Sequence, residues 1–194
     1  MTRSTPRPRN AAATRQAILD SAVVAFTRHG YDGVGVRDIA AEAGVTAMLV
    51  NRYFGSKEGL FTEVVDLVFA RRTMVPGDTD DLAGDTARAL VDRTAAGAEH
   101  LGPFELMLKS AANPKAAEIM RDAIGRHVGA RFEAALEGPG AGERAELGLA
   151  LLAGAWLMRR IIGTPGLQEA DPERLATQVA RMLAVIVDPD TDPA

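Results

Sequence analysis

The sequence predicts an all-α protein of about nine helices. Apolar residues recur at intervals of three and four along most of the chain, which is the spacing of one helix face. No segment shows the strict alternation of apolar and polar residues that a half-buried strand requires. Glycine interrupts the helical pattern at Gly30, Gly44 and Gly55, and Gly-Pro clusters interrupt it twice more, so we expect short helices joined by tight turns.

Composition excludes several kinds of site. The 194 residues contain no cysteine, which rules out a disulfide scaffold and any thiolate nucleophile or metal ligand. The three histidines, His29, His100 and His127, are too far apart in sequence to form a helical metal-binding pair. The longest uncharged apolar stretch, Leu147 to Met158, has 12 residues, against about 20 for a membrane-spanning helix. We therefore expect a cytoplasmic protein without membrane contact, metal or cofactor.

Charge is distributed unevenly along a chain whose net charge is −4. Residues 1–57 carry eight Arg and Lys against four Asp and Glu, whereas residues 58–194 carry 14 against 22. A basic head on an acidic body indicates that only the head meets a polyanion. Residues 1–10, rich in arginine and proline, predict a flexible basic arm that either follows phosphates or is a disordered terminus without a role.

Four helices are predicted in the first part of the chain. The first runs from about residue 14 to residue 29 and is ended by Gly30. The second covers 36–43, the third 47–54 and the fourth 57–72. Gly35, Thr46 and Ser56 occupy the N-cap positions of the last three, where small and hydroxyl residues are favourable.

Five further helices are predicted after a loop at 73–81. They cover about 82–100, 103–112, 114–136, 143–162 and 171–187. Asn113-Pro114 and Asp171-Pro172 each place a capping side chain before a proline at the first helical position. The run from Gly138 to Gly142 follows no strand, so it predicts a loop and not a dinucleotide-binding turn.

Residues 36–54 carry the strongest functional signal. Two short helices meet at Ala43-Gly44-Val45-Thr46, and a glycine free to adopt a positive φ is what the sharp turn of a helix-turn-helix needs. The second of these helices exposes Asn51 and Arg52, side chains that pair with adenine and guanine edges in the major groove. Lys57, at the start of the next helix, predicts a phosphate contact.

The stretch from Arg15 to Val65, especially VRDIAAEAGVTAMLVNRYFGSKEGLF, resembles the DNA-binding domain of TetR/AcrR-family transcriptional regulators. The resemblance rests on the IA-x-x-AGV core, on Tyr53-Phe54 and on Ser56-Lys57-x-x-Leu60. The run FELMLKSAANPKAAEIMRD also resembles C-terminal domains of actinobacterial members.

The resemblance implies a helix-turn-helix domain at 11–57, a helical ligand-binding and dimerisation domain at 58–188, and a tail at 189–194. It implies a homodimeric repressor that binds a palindromic operator in double-stranded DNA. A small apolar or amphipathic effector would release it. An activator, or a regulator that needs no ligand, is the alternative function of the same fold.

Carried over by position, the resemblance implies a set of DNA-contacting residues: Arg15, Arg37, Thr46, Ala47, Met48, Asn51, Arg52, Tyr53 and Lys57. For Tyr53, a phosphate contact through the hydroxyl is favoured, and a half-buried core ring is the competing interpretation. The sequence departs from the common family pattern at Val34-Gly35, where Thr-Ser is frequent, and at Asn51, where Tyr is frequent. These departures remove a hydroxyl phosphate contact and change the chemistry that faces the groove.

Two further sets of residues are predicted in the C-terminal domain. The dimer interface is expected in the last two long helices, at Gly148, Leu151, Leu175, Val179, Met182 and Ile186. A ligand pocket is expected to be lined by Phe104, Met107, Met120, His127, Arg131 and Trp156, with ordinary core packing as the competing interpretation. An enzyme is disfavoured because none of the four serines lies in G-x-S-x-G. A protein-only adaptor is disfavoured by the basic head.

Overall fold

The computed structural model describes residues 11–71, 74–76, 79–95, 97 and 102–188. Within these ranges the chain consists of eleven α-helices, two π-helical stretches and their connections, without a strand, which confirms the predicted all-α fold. The predicted basic arm at 1–10, the tail at 189–194 and His100 lie outside the described residues. No helix in the described ranges has both the length and the apolar character needed to cross a bilayer.

The helices are, in chain order, α1 (Ala11–His29), α2 (Val36–Glu42), α3 (Ala47–Phe54), α4 (Lys57–Arg71), α5 (Leu82–Thr94), α6 (Gly102–Ser110), α7 (Pro114–Ile124), α8 (Ala130–Ala134), α9 (Ala141–Trp156), α10 (Pro165–Gln168) and α11 (Pro172–Val187).

Four C-terminal elements differ from the prediction. The helix predicted at 82–100 ends at Thr94, because Ala95 takes an extended conformation. The helix after Pro114 changes to π-helical winding over Gly125–Gly129 before α8, and α9 continues as a π-helix over Leu157–Ile162. The single turn α10 occupies a stretch that was predicted to be only a break.

Most of the predicted helix caps are confirmed. The side chain of Asn113 accepts hydrogen bonds from the backbone N–H groups of Lys115 and Ala116 at 3.0 and 3.1 Å. Asp171 accepts from the N–H of Arg174 at 2.8 Å. Ser56 accepts from that of Gly59 at 3.1 Å.

Thr46 is the exception among the predicted caps. It occupies the N-cap position of α3, but its side chain makes no capping hydrogen bond. Its hydroxyl is therefore not committed to the first turn of the helix.

The described residues form two compact units. Of the described residues, unit 1 contains those within 11–68 and 105–120, and unit 2 contains those within 69–104 and 121–188. The core of unit 1 contains the predicted apolar faces of α1 and α4. Phe26 packs edge-on against Phe61 with ring centroids 5.0 Å apart, and Tyr31 packs edge-on against Phe61 at 4.9 Å.

The turn after α1 is fixed against the end of α6 within unit 1. The backbone N–H of Tyr31 donates to the hydroxyl of Ser110 at 3.0 Å, and the amide of Asn113 donates to the Asp32 carboxylate at 2.9 and 3.1 Å. Gly30 has a φ of 72°, and a Cβ at this position would lie 2.3 Å from the carbonyl oxygen of Lys109. Only glycine permits both the positive φ and this approach.

Unit 2 is built around α5, α9 and α11, with the buried residues Phe132, Leu152, Trp156, Val179 and Leu183 in one apolar core. The ring of Phe132 lies so close to α9 that a Cβ at Gly148 would be 2.5 Å from its Cε1 atom. On the same helix, a Cβ at Gly154 would meet nothing within 4 Å.

This contrast predicts opposite effects for two identical substitutions in α9. Gly148→Ala is expected to lower the free energy of unfolding by about 1–3 kcal/mol, because Phe132 or the helix must move. Gly154→Ala is expected to leave it unchanged or raise it by up to about 1 kcal/mol, since alanine favours the helix and meets no neighbour. Urea unfolding of both variants at one protein concentration measures the difference. Equal changes in the two variants would contradict the packing described here.

Candidate nucleic-acid interface

Helices α2 and α3 form a helix-turn-helix. Gly44 in the turn has a φ of 67°, as predicted for the sharp change of direction. The backbone N–H of Val45 donates to the carbonyl of Ala40 at 2.9 Å, which closes the turn. Ile39 and Val50 are fully buried between the helices. The turn therefore holds α3 at a fixed angle to α2.

One side of α3 consists of exposed side chains. Met48 is 76% exposed, and Thr46, Asn51 and Arg52 are also exposed. Ala47 is half-buried at the start of the same helix, and Arg37 is exposed near the start of α2. The arrangement places an amide, a guanidinium and a thioether on one accessible ridge, as an element that reads base edges requires.

Two of the predicted contact residues, Arg15 and Tyr53, are partly covered by unit 1. Arg15 pairs with the carboxylate of Glu63, and its guanidinium carbon lies 4.7 Å from the centroid of the Phe54 ring. Tyr53 is half-buried, which is compatible with both of its predicted roles. Arg15 thus joins α1 to α3 and α4 whether or not it also meets a phosphate.

Lys57 lies in the first turn of α4 above an aromatic ring. Its Nζ atom is 4.5 Å from the centroid of the Tyr31 ring, and the Tyr31 hydroxyl donates to Glu58 Oε1 at 2.9 Å. Burial first, and then the Glu58 carboxylate, raises the pKa of Tyr31 to about 12. The Glu58 backbone N–H and then the Ser56 hydroxyl lower the pKa of Glu58. The phenol therefore remains a donor, and its ring remains a platform for the ammonium group.

Sequence reasoning missed Tyr31 and Ser110. They lie 79 positions apart and are joined by the hydrogen bond that anchors the turn after α1. A tyrosine that follows a helix-ending glycine gives no sign of which distant residue it will meet. A local pattern could show only that Tyr31 lies at the end of the first apolar stripe.

The predicted pocket residues are divided between the two units. Phe104 and Trp156, in unit 2, are stacked with centroids 5.0 Å apart. Trp156 is 2% exposed, and its indole N–H has no hydrogen-bond partner among the described residues. Met107 and Met120 belong to unit 1, and in unit 2 His127 is half-buried and Arg131 is exposed.

The predicted interface residues are also divided. Gly148, Leu175 and Val179 are buried within unit 2, so their apolar surface is already covered by the same chain. Leu151 and Ile186 are half-buried, and Met182 is 49% exposed. Helical periodicity identified apolar positions but did not separate those that face the core from those that face outward.

The described residues contain no group of three or more His, Asp or Glu side chains arranged to hold a metal ion.

Two family models match the chain. The model described as bacterial regulatory proteins of the tetR family matches residues 18–64. The model described as the tetracyclin repressor-like C-terminal domain matches residues 80–187. The second model alone covers more than half of the chain, and the two follow one another as the resemblance predicts.

Curated relatives match over shorter segments. The chain is 37% identical over 83 residues to the HTH-type transcriptional repressor SCO4008 of Streptomyces coelicolor, covering 42% of this chain and 43% of that protein. It is 51% identical over 61 residues to the HTH-type transcriptional regulatory protein RaaS of Mycobacterium tuberculosis, covering 31% of this chain and 28% of that protein. The chain thus spans less than half the length of either relative.

Solved structures share the fold over nearly the whole chain. The TetR-family regulator SCO0857 of Streptomyces coelicolor is 24% identical, with a TM-score of 0.56 over 95% of this chain and 99% of that chain. The multidrug binding protein EbrR complexed with ethidium is 24% identical, with a TM-score of 0.67 over 90% of this chain and 99% of that chain. With both family models matched in order, the chain belongs to the TetR family of bacterial regulatory proteins.

Proposed function

We propose that the protein is a sequence-specific DNA-binding transcriptional regulator that acts as a homodimeric repressor and leaves its operator when a small molecule binds. The observation that carries this proposal is the exposed ridge of Thr46, Met48, Asn51 and Arg52 on α3, held by a glycine turn against α2. Relatives named as a transcriptional repressor and a transcriptional regulatory protein support it. This role requires no catalytic group, metal or cofactor, and it belongs in the cytoplasm with the chromosome.

The exposed side chains of α3 suit major-groove reading. The Asn51 amide has the donor and acceptor that match adenine, and the Arg52 guanidinium matches the two acceptors of guanine. Arg37 and Lys57, at the starts of α2 and α4, suit phosphate contacts that fix the orientation of the helix. In a symmetric dimer the two α3 helices would enter successive major grooves of a palindromic operator, about 34–36 Å apart.

The surface of unit 2 supports a dimer. The long helices α9 and α11, with the π-helical stretch after α9, carry large apolar side chains that are at least 41% exposed: Leu147, Met158, Ile161, Ile162, Met182 and Val185. We call these six residues the seam face. An apolar surface that a subunit cannot cover itself normally marks an interface. A second copy of this chain covers it in the proposed dimer.

Unit 2 also supports a response to a small molecule. DNA reading requires only the helix-turn-helix and a dimer contact. Unit 2 has more helices than a dimer contact needs, so part of it is available for another role. The neighbouring structures of EbrR are complexes with proflavin, ethidium and imidazole. A coupling of about 1–3 kcal/mol between ligand and operator would weaken DNA binding roughly 5–150-fold. An activator differs in where the operator lies relative to the promoter, and not in this chemistry.

Substitutions at Lys57 and Arg52 should distinguish a phosphate contact from a contact with a base. Lys57→Ala is expected to weaken binding to every duplex and to flatten the log–log salt dependence by about one unit, because one phosphate contact is lost. Arg52→Ala is expected to relax the base preference at one position of the operator. The loss of discrimination against the wrong base there should be about 1–3 kcal/mol. Selection of bound fragments from random duplexes, followed by salt titration, measures both effects.

The matched control is Arg174→Ala, which removes an exposed arginine from α11 in unit 2. It should change neither the salt dependence nor the preferred sequence. If all three variants bind as the wild type does, the assignment of α3 and α4 to DNA is wrong.

Tyr31 should act on DNA binding through Lys57. Tyr31→Phe retains the ring beneath the ammonium group and is expected to retain affinity. Tyr31→Leu removes the ring, and a cation–π contact of about 0.5–1 kcal/mol predicts a loss of roughly two- to fivefold. Because the effect passes through Lys57, the loss should vanish when Lys57 is already alanine. A Tyr31→Leu effect that persists in that background would show a general structural role instead.

Substitution of one exposed methionine, Met182, tests the proposed dimer. Met182→Glu places a charge on both sides of the seam and is expected to shift the protein toward a monomer of 20.5 kDa. Thr177→Glu adds the same charge to another exposed position of α11 and should leave the dimer intact. Light scattering after size-exclusion chromatography gives the masses. A monomeric wild type at micromolar concentration would rule out the proposed seam.

A further inference from the structure

Unit 2 contains a cavity of about 320 Å³ between α5, α9 and α11. Its wall is mostly apolar and includes Leu90, Leu151, Val179 and Met182. The volume falls within the range of about 300–1,000 Å³ that is typical of small-molecule sites. None of the six residues predicted to line a pocket contributes to this wall, so the cavity is not the site that the sequence indicated.

One charged residue, Arg159, lines the cavity and is 8% exposed. Its Nε donates to the carbonyl of Leu167 at 3.0 Å, and its Nη1 donates to the carbonyl of Val91 at 2.9 Å and to the hydroxyl of Thr94 at 2.8 Å. These bonds account for three of the five guanidinium N–H groups. Within the described part of the chain, these bonds use Nε and Nη1, and no carboxylate pairs with the guanidinium. Nη2 is not among the buried polar atoms that lack a partner, so its two N–H groups remain accessible from the open side of the cavity.

A purely structural role explains part of this arrangement. Val91 and Thr94 lie in the last turn of α5, where carbonyl groups lack helical partners and a positive charge is favourable. That role accounts for Nη1 and leaves the two donors of Nη2 unused. Burial lowers the pKa of Arg159, although an arginine keeps its proton in such a site. The described residues place no carboxylate beside this charge, and an anion in the cavity would balance it.

We propose that this cavity binds a molecule with a carboxylate head and an apolar body, and that Nη2 of Arg159 is the partner of the carboxylate. The apolar body would lie along Leu151, Val179 and Met182. This inference rests on the proposed response to a small molecule and deepens it, since it gives the response a location and a chemical class of ligand.

The position of the cavity connects the ligand to the dimer. Met158 and Met182 line the cavity and also belong to the seam face. A molecule in the cavity would touch side chains that the partner subunit packs against in the proposed dimer. A bound ligand would therefore change how the two subunits pack against each other at the seam face.

The test compares decanoate with 1-decanol, which has the same chain length but no charge. Both are titrated calorimetrically into the full-length protein at neutral pH. Wild type is expected to bind decanoate at least about tenfold more tightly, because hydrogen bonds to a charged group contribute that much. Arg159→Gln should abolish this preference. Arg160→Gln removes the neighbouring charge, which does not line the cavity, and should retain the preference.

A second variant keeps the test decisive if Arg159→Gln does not fold. Gly154 lines the cavity and has open space where a Cβ would be, so Gly154→Leu is expected to place an apolar side chain in the cavity. It is expected to lose both ligands while its melting temperature is maintained, and Gly154→Ala should retain them.

Three outcomes would overturn the inference: equal affinity of wild type for decanoate and 1-decanol, binding that Gly154→Leu leaves unchanged, or no saturable binding. If the wild type still binds duplex DNA in any of these cases, only the anionic site is wrong. If decanoate binds through Arg159 but the protein binds no duplex, the site stands and the proposed regulator does not.

Discussion

The absence of a side chain at Gly30 is the constraint on which unit 1 depends. A Cβ there would lie 2.3 Å from the carbonyl oxygen of Lys109, so any other residue would force the turn away from α6. The close approach brings the backbone of Tyr31 to the hydroxyl of Ser110, and it leaves the Tyr31 ring beneath Lys57. Lys57, the proposed phosphate contact, therefore takes its position from a contact made by a residue far along the chain.

The features predicted correctly from sequence are those that depend on local chemistry. The apolar faces of α1 and α4, the turn at Gly44 and the caps at Asn113 and Asp171 each follow from a few neighbouring residues. The helix-turn-helix belongs to this class, because its two helices and its glycine turn lie within 19 residues, 36–54. The exposure of Asn51 and Arg52 follows from the same periodicity that buries Val50.

The missed features depend on contacts that are distant in sequence. The partner of Tyr31 lies 79 positions away, and Arg159 donates to the carbonyl of Val91 in α5, which lies 68 positions before it. Periodicity also predicted one apolar side of α11, but Val179 faces the core of unit 2 while Met182 faces outward. An apolar residue has the same spacing whether its own chain or a second copy covers it. The π-helical stretches after Ile124 and Trp156 were also missed, because the spacing of apolar residues did not distinguish them from α-helix.

Helix α9 carries residues of both the proposed seam and the cavity. Its inner side is packed so closely that Gly148 leaves no room for a methyl group beside Phe132, whereas Gly154 stands in open space next to the cavity. The tight side resists displacement, since a packed core has little free volume to absorb it. In the proposed dimer, a ligand in the cavity would be accommodated on the open side, by Met158 and Met182, which also belong to the seam face. Ligand affinity and dimer affinity are then linked through the same two side chains. By reciprocity, whatever factor the ligand applies to the dimer, the dimer applies to the ligand.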